Sequence, residues 1–73
     1  MEEYRTVRYH MPNGKTELIL QQKNRVGGWS TLMCSYYVSV IVKYCSNRGI
    51  KKIGNDVDIN YPNSVEGPGE RVD

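Results

Sequence analysis

A chain of 73 residues with two cysteines, one histidine and a formal net charge of +2 is one domain at most, and its core is thin, because a fold near this size buries only about 60% of the surface its unfolded chain exposes. That inventory excludes a disulfide framework and a four-ligand structural zinc site. Apolar runs such as Val40-Ile41-Val42 fall far short of the roughly 20 residues that span a bilayer, and Met1-Glu2-Glu3 is acidic where a secretory leader is basic, so the expectation is a soluble, cytoplasmic protein with no membrane contact.

Residues 4–11 alternate, with Arg5, Val7, Tyr9 and Met11 on one side and Tyr4, Thr6, Arg8 and His10 on the other, the period of a half-buried strand. Pro12-Asn13-Gly14 comes next, and Asn-Gly between alternating segments signals a hairpin whose return strand is residues 16–25. A two-residue Asn13-Gly14 loop pairs Tyr9 with Leu18 and Val7 with Leu20, the register that hydrophobic matching favours. Pro12 argues for the other solution, a type I turn with a glycine bulge, because it has no N–H for the closing pair.

Residues 31–48 carry two periods at once. As a strand, Tyr36, Val38, Val40, Val42 and Tyr44 line one face; as a helix, Met33, Tyr36, Tyr37, Val40, Ile41 and Tyr44 form a stripe. The ends favour the helix: Ser30 suits an N-cap, Trp29 and Cys34 a hydrophobic staple, and Gly49 with Ile50 after it a Schellman ending opposite Cys45. Residues 50–61 then read as one bulged strand or as a hairpin turning on Gly54-Asn55, with Lys51 facing Asp58 and with Val57, Ile59 and Tyr61 inward. The fold expected is α+β, a small antiparallel sheet in the order ββαβ with one helix packed over Val7, Tyr9, Leu18 and Leu20; the alternative is all-β. Residues 1–61 form the single domain, and residues 62–73, rich in proline and glycine, are expected to be a disordered C-terminal tail.

No catalytic set emerges. His10 near Glu17 invites an acid/base reading, yet a strand surface on so small a domain offers no cleft in which to tune either group. Cys34 and Cys45, if on one helix, are about 16 Å apart along its axis, beyond disulfide reach, and neither has a neighbouring base that would make it a nucleophile. Gly27-Gly28 before a helix could hold a phosphate, but the loop lacks the lysine and spacing of a P-loop, and the glycines fit a tight entry into the helix with Trp29 packed as a lid. The expectation is a binding protein that is not an enzyme and takes neither cofactor nor metal nor small-molecule substrate.

Charge is segregated along the chain. Residues 4–55 hold nine basic residues against one acid, Glu17, a net of +8, and the flanks carry −6. A basic body points to an anionic partner, an acidic protein surface or, alternatively, nucleic acid. Tyrosine, tryptophan and arginine interleave in it as they do at protein–protein hot spots and at base-stacking surfaces. The candidate binding residues are Tyr4, Arg5, Arg8, His10, Lys23, Arg25 and Trp29, with Lys43, Arg48, Lys51 and Lys52. Arg5, Arg8, Lys23 and Arg25 are expected to gather at the open end of the hairpin beside Trp29 as one face.

In whole-chain length, with a basic ββαβ-like body, a tail and no catalytic set, the chain resembles the small host-takeover proteins of bacteriophages, and among them a Xanthomonas-phage type of transcription regulator. That resemblance implies a protein that works in the bacterial host cytoplasm, binds host RNA polymerase, inhibits transcription initiation and acts as an antiterminator. It further implies a basic hairpin face against acidic surface on the polymerase near where σ factor or nascent RNA binds. It carries over no individual residue.

Overall fold

The computed structural model describes residues 3–54 and 56–61 and the backbone of Glu70 and Arg71. Strands β1 (Tyr4–His10) and β2 (Thr16–Lys23) form the first hairpin. The Met11 N–H donates to the Lys15 carbonyl at 2.9 Å, the Gly14 N–H donates to the Met11 carbonyl at 3.1 Å, and Gly14 is left-handed at φ 83°. This is a three-residue loop, a type I turn closed by a glycine bulge. It pairs Tyr9 with Glu17 and Val7 with Ile19, one residue away from the register that hydrophobic matching favours. Pro12 decides the matter, since a two-residue loop would close on a Pro12 N–H that does not exist. The slip moves side chains between faces: Leu18 and Leu20 lie with Thr6 and Arg8, whereas Val7 and Tyr9 lie with Ile19 on the opposite face.

The second hairpin repeats the device. Asn24 and Gly28 close the loop at 2.9 Å, Gly27 donates to the Asn24 carbonyl at 3.3 Å and is left-handed at φ 85°, and the Asn24 side chain accepts the N–H groups of Val26 and Gly28. The chain then enters strand β3 (Trp29–Ser35), antiparallel to β2, in place of the first half of the expected helix; Ser30 caps nothing and Trp29 makes no staple. Leu20 pairs with Met33 while Gln21 pairs with Thr31, so Leu32 is the extra residue of a β-bulge.

Helix α1 spans Val38–Asn47. Its N-cap, Tyr37, is extended and supplies no side-chain cap. Its C-terminus ends as the sequence indicates: the Ile50 N–H donates to the Cys45 carbonyl at 2.9 Å, the Gly49 N–H donates to the Ser46 carbonyl at 3.3 Å, and Gly49 sits at φ 69°, a Schellman motif. Alanine there forces an L-residue into the left-handed region. Gly49→Ala is expected to lower stability by about 1 kcal/mol, or roughly 4–8 °C in thermal midpoint for a domain of this size; an unchanged melt would mean the motif is not formed.

Strand β4 (Val57–Asn60) runs parallel to β1, pairing Val57 with Val7 and Asp58 with Arg8. The expected hairpin with residues 50–53 is absent: residues 51–54 are not in a strand, and the Gly54 N–H instead donates to the Tyr4 carbonyl at 2.8 Å. The sheet order is β4-β1-β2-β3, with the two-residue β5 (Glu70–Arg71) parallel to β3 at its outer edge. The sheet is thus mixed where a purely antiparallel one was expected, because α1 carries the chain from the β3 edge across to β1, and such a crossover delivers a parallel strand. The fold is α+β with one helix packed on the sheet. Apart from the backbone of Glu70 and Arg71, the tail expected over residues 62–73 lies outside the described residues.

Leu20, Met33, Ile41 and Cys45 form the buried core between α1 and the sheet, flanked by Leu18, Leu32, Val40, Tyr44, Ile50 and Ile53. The helix packs on β2 and β3. Val7 and Tyr9, expected beneath it, belong to the other face of the sheet.

Candidate functional site

On the face away from the helix, the register aligns Arg5, Gln21 and Thr31 across β1, β2 and β3, with Trp29 and Lys23 paired beside them. The Arg5 Nε–H donates to Gln21 Oε1 at 2.8 Å, the Gln21 Nε2–H donates to Thr31 Oγ1 at 3.3 Å, and the Arg5 guanidinium lies 4.3 Å from the Trp29 ring centroid. Gln21 is buried, at 1% exposure, with its polar groups satisfied by these bonds. It is therefore a fixed anchor that sets the orientation of Arg5. Stacking on the indole and hydrogen bonding through Nε together hold a side chain that ordinarily carries about 2 kcal/mol of rotamer entropy. Burial lowers the pKa of Arg5, yet a guanidinium stays charged in proteins. Among the described residues its terminal nitrogens have no hydrogen-bond partner.

A second cluster lies on the helix side, at the β1–β4 edge. Asp58 accepts from Arg8 Nη2 and Nε, both at 3.1 Å, and pairs with His10 Nε2 at 2.8 Å, while His10 Nδ1 meets Thr16 Oγ1 at 3.2 Å. Asp58 thus takes the place expected for Glu17, which pairs with Tyr9 on the other face. Asp58 does not face Lys51 either, because β4 pairs with β1. The order Asp58, His10, Thr16 has the connectivity of a hydrolase triad, but Arg8 already neutralises the carboxylate, and Arg8, His10 and Asp58 are all open to solvent, so the three do not line a water-excluded cleft.

The Asp58 carboxyl is held below the usual carboxylate pKa, above all by the His10 hydrogen bond; burial pulls the other way, and Arg8 adds its charge. The folded value lies below the unfolded one, near 3.9 for a free Asp, so the unfolded chain binds more protons in that region and stability rises with pH through it. The contribution is present above the unfolded pKa and is lost as pH falls through the folded one. Asp58→Asn is expected to flatten the dependence of the urea midpoint on pH between about 2 and 5; an unaltered slope would place the acid sensitivity elsewhere.

The other candidates are dispersed. Arg5 and Arg8 point to opposite faces because they are three apart in a strand of period two, so the single face expected for Arg5, Arg8, Lys23 and Arg25 is not formed. Lys23 shares the Arg5 face and pairs with Glu3 at 3.7 Å, and Arg25 is exposed in the β2–β3 loop. Tyr4 is half-buried on the helix side. Lys43 is exposed on α1, Arg48 stacks on Tyr44 with 3.8 Å to the ring centroid, and Lys51 and Lys52 are exposed after the helix. Cys34 and Cys45, expected on one helix, occupy β3 and α1; both are free, and burial raises the Cys45 thiol pKa.

Sequence reasoning missed one feature, a recess of about 300 Å³ lined by Lys15, Thr16, Tyr36 and Tyr37, because the spacing of the two tyrosines fits a buried helical stripe. Among the described residues no cluster of three potential metal ligands occurs, and no helix is long and apolar enough to cross a membrane. Comparison of the chain with protein-family models, with curated proteins and with solved structures finds no match.

Proposed function

We propose that the chain is a non-catalytic binding protein that engages an acidic surface of bacterial RNA polymerase, inhibiting initiation and acting as an antiterminator through that contact. The observation that carries the binding half of this reading is the Arg5–Trp29 pair, oriented in advance by the buried Gln21. Tryptophan and arginine are the residues most enriched at protein–protein hot spots, a guanidinium matches a carboxylate in a bidentate pair, and ordering the side chain beforehand reduces what association would otherwise cost. The partner comes from the likeness in size and charge to phage transcription regulators.

Nucleic-acid binding is the competing reading, and the distribution of cations favours it less. Strong duplex binding uses a row of cations, each neutralising a phosphate. Here Arg8 is engaged by Asp58 and Lys23 by Glu3, and the other cations among the described residues are scattered: Arg5 on the sheet face away from the helix, Lys15 and Arg25 in the two hairpin loops, Lys43 and Arg48 on and at the end of the helix, and Lys51 and Lys52 after it. Titration of purified polymerase, random-sequence duplex and single strand at low and at physiological salt separates the two. Polymerase binding that persists, with nucleic-acid binding erased by salt, is the expected outcome; no polymerase binding at any salt by the folded protein would overturn the proposal.

A further inference from the structure

Asn13-Gly14 closes the first hairpin, and it also places side by side the two groups of a covalent reaction. Asn13 is the only asparagine of the chain that precedes a glycine. The backbone nitrogen that follows an asparagine can attack the side-chain Cγ, and glycine presents that nitrogen with no side chain to obstruct it. Asn13, Gly14 and Lys15 are all exposed, and among the described residues no atom lies within 4 Å of where a Cβ on Gly14 would sit, so solvent reaches the site.

The turn treats the two reacting groups differently. The Lys15 N–H donates to Asn13 Oδ1 at 2.9 Å, the oxygen on which negative charge develops when Cγ is attacked, and a donor aimed at such an oxygen favours the addition. The nucleophile is withheld. The Gly14 N–H donates to the Met11 carbonyl at 3.1 Å, beneath the bond from the Met11 N–H to the Lys15 carbonyl at 2.9 Å. Attack requires the Gly14 nitrogen to lose its proton and leave Met11 for Cγ, which breaks the turn. We propose that Asn13 is a site of spontaneous deamidation, and that the type I turn gates the reaction by holding the Gly14 nitrogen on Met11.

The reaction needs only water. A solvent hydroxide takes the Gly14 amide proton, the nitrogen bonds to Asn13 Cγ, and the Cγ–Nδ2 bond breaks, releasing ammonia and closing a cyclic succinimide. Water then opens the ring. Cleavage between the ring nitrogen and Cγ leaves aspartate at position 13; cleavage between the nitrogen and the α-carbonyl leaves isoaspartate, in which the main chain runs through Cβ and Cγ. Aspartate keeps a side-chain oxygen for the Lys15 N–H and suits the turn. Isoaspartate adds a main-chain carbon to a loop whose length sets the β1–β2 register, so this product loosens the hairpin. The inference does not depend on the partner proposed above.

The test is incubation of the full chain in mildly alkaline buffer, folded and unfolded in urea, followed by peptide mapping with mass spectrometry and enzymatic labelling of isoaspartate. The expected result is the amide-to-acid mass increase at Asn13, faster in urea by about tenfold or more, since the two turn hydrogen bonds no longer have to open. Hydrogen exchange at the Gly14 amide is expected to accelerate in parallel as urea is raised. Asn13→Asp is expected to melt with the unmodified chain, and the isoaspartate form, separated by chromatography, about 5 °C or more below it. No acid at Asn13 in the unfolded chain, or earlier conversion at another asparagine, would overturn the site. Equal rates in the folded and unfolded chain would overturn the gate, and an isoaspartate form as stable as Asn13→Asp would overturn the role given to loop length.

Discussion

Replacing Trp29 by alanine is expected to weaken polymerase binding by about 2 kcal/mol or more, roughly 30-fold in Kd, while the domain remains folded. Trp29 is the first residue of β3 and only half-buried, outside the core cluster, so its removal takes away the indole platform under Arg5 and leaves the packing of Leu20 and Met33 intact. Arg5→Lys sharpens the result. It keeps the charge but loses the planar stack and the fixed Nε bond to Gln21, so it is expected to lose most of what Arg5→Ala loses. If long-range charge alone drove binding, Arg5→Lys would be silent. Calorimetric titration of the variants, with circular dichroism to confirm folding, decides between these outcomes.

Leu20→Ala is expected to bring the domain close to unfolding. Leu20 is fully buried where β2 meets α1, and truncating such a leucine costs about 2–5 kcal/mol through lost transfer energy and the cavity left behind. A 73-residue chain commands only about 4–11 kcal/mol in total at typical values per residue, so the thermal midpoint should fall by more than about 10 °C. Val26→Ala is the contrast: Val26 is 91% exposed in the β2–β3 loop, and its truncation should stay within about 0.5 kcal/mol. A Leu20→Ala protein with an unchanged melt would mean that α1 does not pack over β2.

Features fixed by neighbouring residues were legible in the sequence. Gly49 and Ile50 marked the helix end because their hydrogen bonds reach only to Ser46 and Cys45. Pro12 contained the correct hairpin register, since its missing N–H outweighs the better hydrophobic match. Strand β3 was hidden by its bulge: Leu32 and Met33 both pack toward the core, which breaks the alternation that identifies a strand and, together with Tyr36 and Tyr37, imitates a helical stripe. The second loop offered a usable signal, because Asn24 and Gly27 repeat the arrangement that Met11 and Gly14 make in the first.

The candidate site was legible in composition but not in arrangement. Arg5 and Trp29 stand out by residue type, yet Gln21, the buried residue that orients Arg5, carries no signal in a chain read singly; it becomes conspicuous only once the register places it between Arg5 and Thr31. Asp58 meets Arg8 and His10 across about fifty residues of sequence, through a parallel pairing that no local pattern announces, whereas the nearest plausible turn points it at Lys51.

The most direct test of the central claim is a map of the bound face. A ¹⁵N-labelled sample titrated with purified bacterial RNA polymerase reports on the Arg5 Nε–H, the Trp29 indole N–H and the backbone amide of Thr31 alongside every other amide. The account predicts that these signals broaden or vanish first, at stoichiometric polymerase and physiological salt, ahead of those of Lys43, Arg48, Lys51 and Lys52. Broadening that begins at the helix lysines and leaves Arg5 and Trp29 sharp would contradict it.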